Sequence, residues 1–520
     1  MAGRKIGAGW THGRRAGWIQ CGCAIACLTA AIGGGSPVLA GETLKQALTS
    51  AYSTNPHLDA ERARLRAVDE EGPKARAGWK PIVNGRATYG FYNRESKPVS
   101  TSDGRGEQSS YGLTLSQPLF TGFRTRNAVS EAEARIRAAR EKLRGVEATT
   151  LLAAATAYAD VVRDQQLVAL NQKNVDVLMQ ELRAAETRRA VREITLTDVA
   201  QARARHAGAL SALDLARANL RSSRADFRRV VGHVPGRLSR PRVVSKLLPR
   251  SLREAVKIGL VESPLVGAAL YEEQAARFSV DKVWGELLPQ VRLEANYDRN
   301  FGVSNFVSQQ DAATIMGRVT VPLYQGGETR ARVRQAKHTH VSRIQEIEQA
   351  RSDARANITS AWSQLMAARA RLQSDNVQVS AAKLALDGVR TEEKVGQRSL
   401  LDVLNAEQEV VQARTALART QRDTIVAHFS LLGAIGRLDA SYLTLDTEHY
   451  DPVAHYEEAK NKWFTVSVAP LRGRVDDADL PAGTGEPDRR SGGQRVRGRS
   501  RVHRAGSRGM PGLRRSIISQ

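Results

Sequence analysis

The sequence predicts an α+β membrane protein built from two copies of one pattern: a helix, two strands, a long helix and a return helix. First, apolar residues repeat every seven positions in two long segments, and the second set lies 204 residues after the first. Second, apolar and polar residues alternate in short runs ahead of each long segment, which is the two-residue period of a strand. Third, no stretch after residue 40 has the roughly 18 uncharged apolar residues of a transmembrane helix, so a helical membrane protein is excluded.

The composition favours long helices over a bulky globular core. Aromatic residues make up 5% of the 520 residues, and the net charge is +24. Of that charge, +4 lies in residues 1–40 and +7 in residues 471–520, so that +13 remains for the body. There the arginines alternate with glutamates along helices, which indicates solvated faces and no nucleic-acid partner. No catalytic constellation or phosphate-binding loop stands out, so neither an enzyme nor a cofactor or metal site is predicted.

Residues 1–40 are predicted to be a secretory signal peptide. The basic residues Lys5, Arg14 and Arg15 precede a mostly apolar stretch over residues 19–32, and Ala40 fits a small-residue cleavage site. The segment holds all three cysteines of the chain: Cys21, Cys23 and Cys27. Cleavage after Ala40 would leave no cysteine for disulfides or thiol chemistry. An alternative stays open, because residues 24–27 loosely resemble a lipoprotein box in which Cys27 would be lipidated.

The first repeat is assigned to residues 41–231. A helix over residues 42–78 is interrupted at Pro56 and at Gly72-Pro73. Strands are predicted at 87–91 and 111–115, around a polar loop at about 94–109. A helix of roughly 65 residues then runs to about Ala190, near 100 Å long, and a return helix reaches Val231. The long helix carries a heptad seam, typical of a left-handed coiled coil: Ala154, Val161, Val168, Val175 and Leu182.

The second repeat is assigned to residues 251–450, after a proline-containing linker at 232–250. Ser263-Pro264 matches Asn55-Pro56 in the first repeat, and strands are predicted at 291–298 and 313–324. The second heptad seam lies 204 positions beyond the first: Ile358, Leu365, Leu372, Val379 and Leu386. One shared offset across prolines and seams indicates internal duplication. The remaining residues, 451–520, form a C-terminal extension with a possible helix at 456–462 and predicted disorder from about 471.

Two short stretches mark where each long helix turns back. They are 194–202 and 398–406, and they align when Asp198 is placed on Asp402. Each follows one apolar-periodic segment and precedes another. We interpret them as the tips of helical hairpins that together gate a channel.

Four strands are too few to close a barrel, so the chain is predicted to assemble. In residues 291–298 one face is apolar and the other charged or polar, which suits a wall between lipid and water. Membranes exclude open strand edges. Three chains would supply twelve strands. The alternative is a periplasmic coiled-coil scaffold without a barrel.

The duplicated arrangement resembles the TolC family of outer-membrane efflux and secretion channels over about residues 42–450. The motifs that carry the resemblance are Gln117 to Gly122, Val321 to Gly327 and, most specifically, Val395 to Leu404. The resemblance implies a homotrimer with a twelve-stranded barrel in outer-membrane lipid, continuous with a helical periplasmic barrel. It implies a Gram-negative host, a periplasmic adaptor, an inner-membrane efflux pump or ABC transporter, and no enzymatic activity. Drug efflux and type I protein secretion both remain open.

The resemblance also implies functional residues at the tips. The positions that match the periplasmic gate are Thr197, Asp198, Arg398 and Asp402. Arg398 is expected to pair with Asp198 across a subunit boundary, and Asp402 to form an acidic ring in the pore. The predicted adaptor-docking residues are Leu196, Val199, Gly396, Leu400 and Leu401. Three positions depart from the family pattern: Asn405 in place of a second pore aspartate, Glu393 in place of a latch tyrosine, and Arg192 in place of glycine.

Overall fold

The computed structural model describes residues 41–95, 97–98, 104–241, 247–303, 307–463 and 466. The chain divides into two units, residues 1–465 and 466–520, and every element below belongs to the first. The predicted signal peptide and the predicted disordered tail from about 471 lie outside the described residues.

Both halves have the predicted order of elements. The first half contains α1 (Leu44–Thr54), α2 (Pro56–Asp69), α3 (Glu71–Arg76), a 3-10 turn (Ala77–Trp79), β1 (Ile82–Arg94), β2 (Gly104–Phe120), α4 (Arg124–Ala190) and α5 (Leu196–Val231). The second contains α6 (Leu252–Glu262), α7 (Pro264–Trp284), a 3-10 turn (Gly285–Leu287), β3 (Gln290–Phe301), β4 (Gln309–Thr320), α8 (Glu328–Lys394) and α9 (Leu400–Ala434). A short helix, α10 (Ala454–Ala459), follows.

The repeated proline motif begins a helix in each half. Pro56 and Pro264 each occupy the first turn of a helix, where a missing amide proton costs nothing. Asn55 also caps α2, because its side-chain oxygen accepts hydrogen bonds from the amides of His57 and Leu58. The two prolines therefore mark the boundaries between consecutive helices, α1 and α2 in the first half and α6 and α7 in the second.

The long helices α4 and α8 each have 67 residues, or about 100 Å at 1.5 Å per residue. Their heptad seams are buried where they pack against the return helices; Val161, Ile358 and Leu365 are fully buried. The main core lies near the middle of the long helices. There the Tyr158 hydroxyl is 2.7 Å from the carbonyl oxygens of both Glu42 and Ser239. The predicted linker at 232–250 thus also takes part in the core.

The four strands form one antiparallel sheet in the order β1-β2-β3-β4. The strands are longer than predicted at the β1–β2 hairpin: Arg94 pairs with Gly104, so residue 94 and residues 104–109 of the predicted loop belong to strands. Gly and Ser there carry no strand signal, but main-chain pairing continues through them. The fourth strand ends at Thr320, and the prediction that it extends to Tyr324 was wrong; Pro322 has no amide proton for the ladder.

The two faces of the sheet differ in chemistry. The first face presents exposed apolar side chains on all four strands: Val83, Tyr89, Phe91, Leu113, Tyr297, Ile315 and Val319. The second face carries the ion pairs Arg86–Asp298 and Arg318–Glu294. We call these the apolar face and the polar face. No helix among the described residues is both long and apolar enough to cross a membrane.

The described part of the C-terminal extension packs against the first half. The helix lies at Ala454–Ala459, two to three residues before its predicted position. His455 Nδ1 is 3.2 Å from the buried Asp69 carboxylate, and the Tyr456 hydroxyl is 2.7 Å from an Arg76 guanidinium nitrogen. Lys80 Nζ lies 4.2 Å from the centre of the Trp463 ring. The extension therefore reaches the end of the helices from which β1 begins.

Candidate functional site at the hairpin tips

The two hairpin tips share one backbone conformation. Arg192 and Gly396 occupy equivalent positions in the left-handed region, with φ of 67° and 80°. In each tip the following amide donates to the carbonyl oxygen five positions earlier, at 3.0 and 2.9 Å. This pattern closes the C-terminus of the long helix and turns the chain. The predicted duplication thus extends to individual hydrogen bonds.

A capping box begins the return helix at each tip. Asp198 Oδ2 accepts from the Thr195 hydroxyl at 2.7 Å and the Thr195 amide at 2.9 Å. Asp402 Oδ2 accepts from the Ser399 hydroxyl at 2.8 Å and the Ser399 amide at 3.1 Å. Hydrogen bonds to the charged form lower the pKa of both carboxyls. Both groups therefore stay ionised at neutral pH while they hold helix N-termini.

Arg398 has a different partner within the chain from the one predicted. Its Nε is 2.9 Å from Glu392 Oε2, and this hydrogen bond raises the pKa of the guanidinium. Both side chains of the pair are about half exposed. The predicted pair between Arg398 and Asp198 of another subunit stays a prediction.

Two polar contacts link the first hairpin to the second at the tips, in addition to the buried Leu404 of α9, which packs into the apolar cluster of the first hairpin. Arg188 at the end of α4 forms an ion pair with Glu393 at the end of α8, and Arg205 on α5 donates to Asn405 Oδ1 at 2.9 Å. Two of the positions that depart from the family pattern thus hold contacts between hairpins. Their departure from the pattern was the only sequence signal, because the partners lie about 200 residues apart.

The tip residues predicted to dock an adaptor differ in exposure. Leu196 is 65% and Leu401 37% exposed, and Gly396 is also exposed. Val199 is only 6% exposed and belongs to an apolar cluster formed by the first hairpin and Leu404 of the second, against which Leu400 also packs. The Val199 side chain is therefore packed inside and presents no surface in this chain, whereas Leu400 is partly exposed; docking at the predicted residues stays a prediction.

Comparisons with known proteins agree with this architecture. A family profile described as outer membrane efflux protein matches residues 47–233 and 256–437. The outer membrane efflux protein BepC of Brucella suis biovar 1 is 38% identical over 424 residues, which cover 81% of this chain and 91% of that protein. The outer membrane protein TolC of Escherichia coli K12 is 24% identical over 456 residues, covering 81% and 88%.

Solved structures share the fold. The outer membrane protein VceC from Vibrio cholerae has a TM-score of 0.65 at 21% identity, covering 76% of this chain and 96% of its own. The structure of CusC has a TM-score of 0.67 at 17% identity, covering 76% and 92%. The fold, the repeat and the two matched segments lead to one conclusion: this chain belongs to the outer membrane efflux protein family, the TolC family of outer-membrane channels.

Proposed function

We propose that three copies of this chain form an export duct from an inner-membrane pump to the cell exterior. One observation carries the proposal: a four-stranded sheet with one apolar and one polar face continues directly into helical hairpins about 100 Å long. The sheet suits the outer membrane and the hairpins suit the periplasm.

Assembly into a homotrimer follows from the free strand edges. Within the described chain, β1 and β4 each pair on one side only. Closure into twelve strands gives every strand two neighbours, turns the apolar face to lipid and encloses the polar face around water. Cell fractionation tests this: the mature protein should stay in the outer-membrane fraction and migrate as a trimer in mild detergent. Recovery as a soluble monomer without detergent would support the periplasmic scaffold instead.

The gate is proposed to lie at the hairpin tips. Thr197, Asp198, Arg398 and Asp402 are the residues assigned from the family pattern, and the Arg188–Glu393 pair adds a link between the two hairpins of one chain. Opening requires the hairpins to separate, so contacts between them favour the closed state. The acidic ring of Asp402 would then face the entering substrate and favour cations.

Single-channel recording in planar bilayers tests the gate. Arg188→Ala and Glu393→Ala should both raise the resting conductance, because each removes a contact between hairpins. Arg398→Ala should raise it only if its guanidinium also binds Asp198 of a neighbouring subunit. Arg203→Ala is the control, because Arg203 pairs with Glu186 of the same hairpin. Unchanged conductance in the Arg188 and Glu393 variants, with trimers intact, would locate the gate elsewhere.

Docking of a periplasmic adaptor is proposed at the exposed tip residues Leu196, Gly396 and Leu401. The adaptor would connect the duct to an efflux pump or an ABC transporter of the inner membrane. Leu196→Asp and Leu401→Asp should weaken adaptor crosslinking while trimers persist. The buried Val199 offers no such surface.

Efflux of toxic small compounds is the preferred role. The match to BepC, a protein named for efflux, covers 81% of this chain, whereas the alkaline protease secretion protein AprF of Pseudomonas aeruginosa matches over only 39% of it. Gene deletion should sensitise cells to dyes and detergents. A normal sensitivity together with a lost secreted protein would assign type I secretion instead.

A further inference from the structure

Two arginines face each other at the base of the polar face of the sheet. In the β3–β4 register, Arg292 lies directly opposite Arg318. Arg292 is only five residues beyond the 3-10 turn that ends at Leu287, so the pair lies at the end of the sheet nearest the helices. Like charges directly opposite each other on antiparallel strands repel, and both side chains are exposed.

The carboxylates of the polar face do not neutralise this pair fully. Arg318 Nε is 3.0 Å from Glu294 Oε2, and Arg86 Nη2 is 3.6 Å from Asp298 Oδ1 farther up the sheet. Arg292 donates only to the amide oxygen of Gln290, at 3.2 Å. Among the described side chains of this face, one positive charge per chain is left without a carboxylate, and it lies at the base.

We propose that the Arg292–Arg318 pairs form a basic ring at the base of the barrel that binds multivalent anions, the phosphate or carboxylate groups of passing substrates. The proposal rests on the proposed function in one respect: three chains must close the sheet with its polar face inward. Guanidinium groups offer paired donors suited to phosphate and carboxylate oxygens. Three unneutralised charges at one level add their fields inside the closed barrel.

The ring is electrostatically independent of the acidic tips. Asp402 and Arg292 lie at opposite ends of helices about 100 Å long, whereas screening at physiological ionic strength acts over about 8 Å. A duct of this kind has a cation-favouring entrance at the tips and an anion-binding ring where the helical part meets the barrel. A substrate that carries both charges, such as a zwitterion, is attracted at both ends.

Calorimetric titration of the detergent-solubilised, full-length trimer with sodium tripolyphosphate at low salt tests the ring. Wild type should show a tight site whose affinity falls as salt rises. Arg292→Gln should weaken that site at least about tenfold, and Arg292→Lys should keep most of the binding because it keeps the charge. Arg105→Gln is the matched control: it removes the same charge from the opposite face, where Arg105 contacts Asn93, and should leave the site unchanged.

Each outcome is decisive once the trimer has been checked by light scattering. Equal binding by wild type and Arg292→Gln, or equal losses in the Arg292→Gln and Arg105→Gln variants, overturns the basic ring but leaves the duct intact. A chain that forms no trimer overturns the proposed function itself. Background binding by other arginines is common to all variants and cancels in the comparison.

Discussion

At the scale of single residues, the two tip aspartates combine an observed capping contact with a proposed role in the gate or pore. The sequence predicted Asp198 and Asp402 as gate and pore charges, and the structure shows that both are also capping residues. The signal was present in the sequence, since Thr195 and Ser399 each precede an aspartate by three residues immediately before an apolar-periodic helix. A substitution that removes both the charge and the side-chain acceptor, such as alanine, therefore changes both helix initiation and the charge at the tip.

Asparagine and alanine at position 402 should separate these two roles. Asp402→Asn keeps a side-chain oxygen that can accept from Ser399 but removes the charge, so cation selectivity should fall while the resting conductance stays near that of wild type. Asp402→Ala also removes the cap, so the tip should fray and the conductance should become noisier. Reversal potentials in a salt gradient report the first effect and single-channel traces the second. Identical traces for the two variants would contradict a capping role.

Partial burial of Glu147 predicts that the stability of the fold depends on pH. Glu147 Oε1 accepts from the Ala440 amide at 2.7 Å, and burial raises the pKa of its carboxyl. Because the folded state holds this proton more tightly than the unfolded chain, stability should fall as pH rises from the ordinary pKa through the raised one. Glu147→Gln keeps the acceptor without a charge, so its melting temperature should exceed that of wild type at pH 8 and converge towards it near pH 4. A constant difference across pH would contradict this origin.

At the scale of elements, local periodicity was enough to predict the helices and the existence of four strands. Heptad seams, proline positions and the 204-residue offset are local or repeated signals, and they placed α4 to within a few residues of Arg124–Ala190. Strand ends were less predictable. Arg94 and Gly104 are paired through main-chain hydrogen bonds between β1 and β2. Because these bonds do not depend on side chains, the glycines and serines there leave no apolar–polar alternation in the sequence.

Exchanging the residues at the equivalent positions 192 and 396 should change the stability of the two tips in opposite directions. Arg192 and Gly396 share a left-handed backbone, which costs an L-residue with a side chain roughly 1–2 kcal/mol. Arg192→Gly should therefore stabilise the first tip by about 1 kcal/mol, and Gly396→Arg should destabilise the second by a similar amount. A Cβ at Gly396 meets no atom within 4 Å, so backbone strain is the only cost.

Hydrogen exchange at the amides of Glu193 and Gln397 measures these changes directly, because these amides close the tips. The exchange of amides in the middle of α4 serves as the internal control and should not change. Equal exchange in the two tips of the wild-type protein would contradict the strain assigned to Arg192.

At the scale of the whole molecule, the sequence predicts that the chain assembles, which stays a prediction, and it could not predict how the parts of one chain meet. The number of strands and the alternation of apolar and polar residues can both be read along one chain, and together they predict closure of the sheet by other copies. The Arg188–Glu393 and Arg205–Asn405 contacts depend on how two hairpins approach in space, and no spacing encodes that. The same holds for the C-terminal extension. Its composition led to a prediction of disorder from about residue 471, but it gave no sign that residues around α10 pack against the first half.

Two truncations should divide the C-terminal extension into a structural and a dispensable part. Ending the chain after Pro470 should leave trimer formation and export intact, because residues 471–520 carry few large apolar residues and twelve arginines. Ending it after Tyr450 removes α10, and with it His455, which contacts the buried Asp69, and Tyr456, one of the two partners of Arg76. An unpartnered buried carboxylate is costly, so the melting temperature of the trimer should fall by roughly 5 °C or more.

His455→Ala tests whether the contact with Asp69 accounts for the effect of the longer truncation, because it removes that contact and keeps the chain length. It should reproduce part of the loss seen after Tyr450, and Asp69→Asn, which needs no charge partner, should restore part of it in the same chain. Melting of the purified trimer followed by circular dichroism measures all four variants. If the chain ending at Tyr450 melts with wild type, the extension only rests on the first repeat and does not stabilise it.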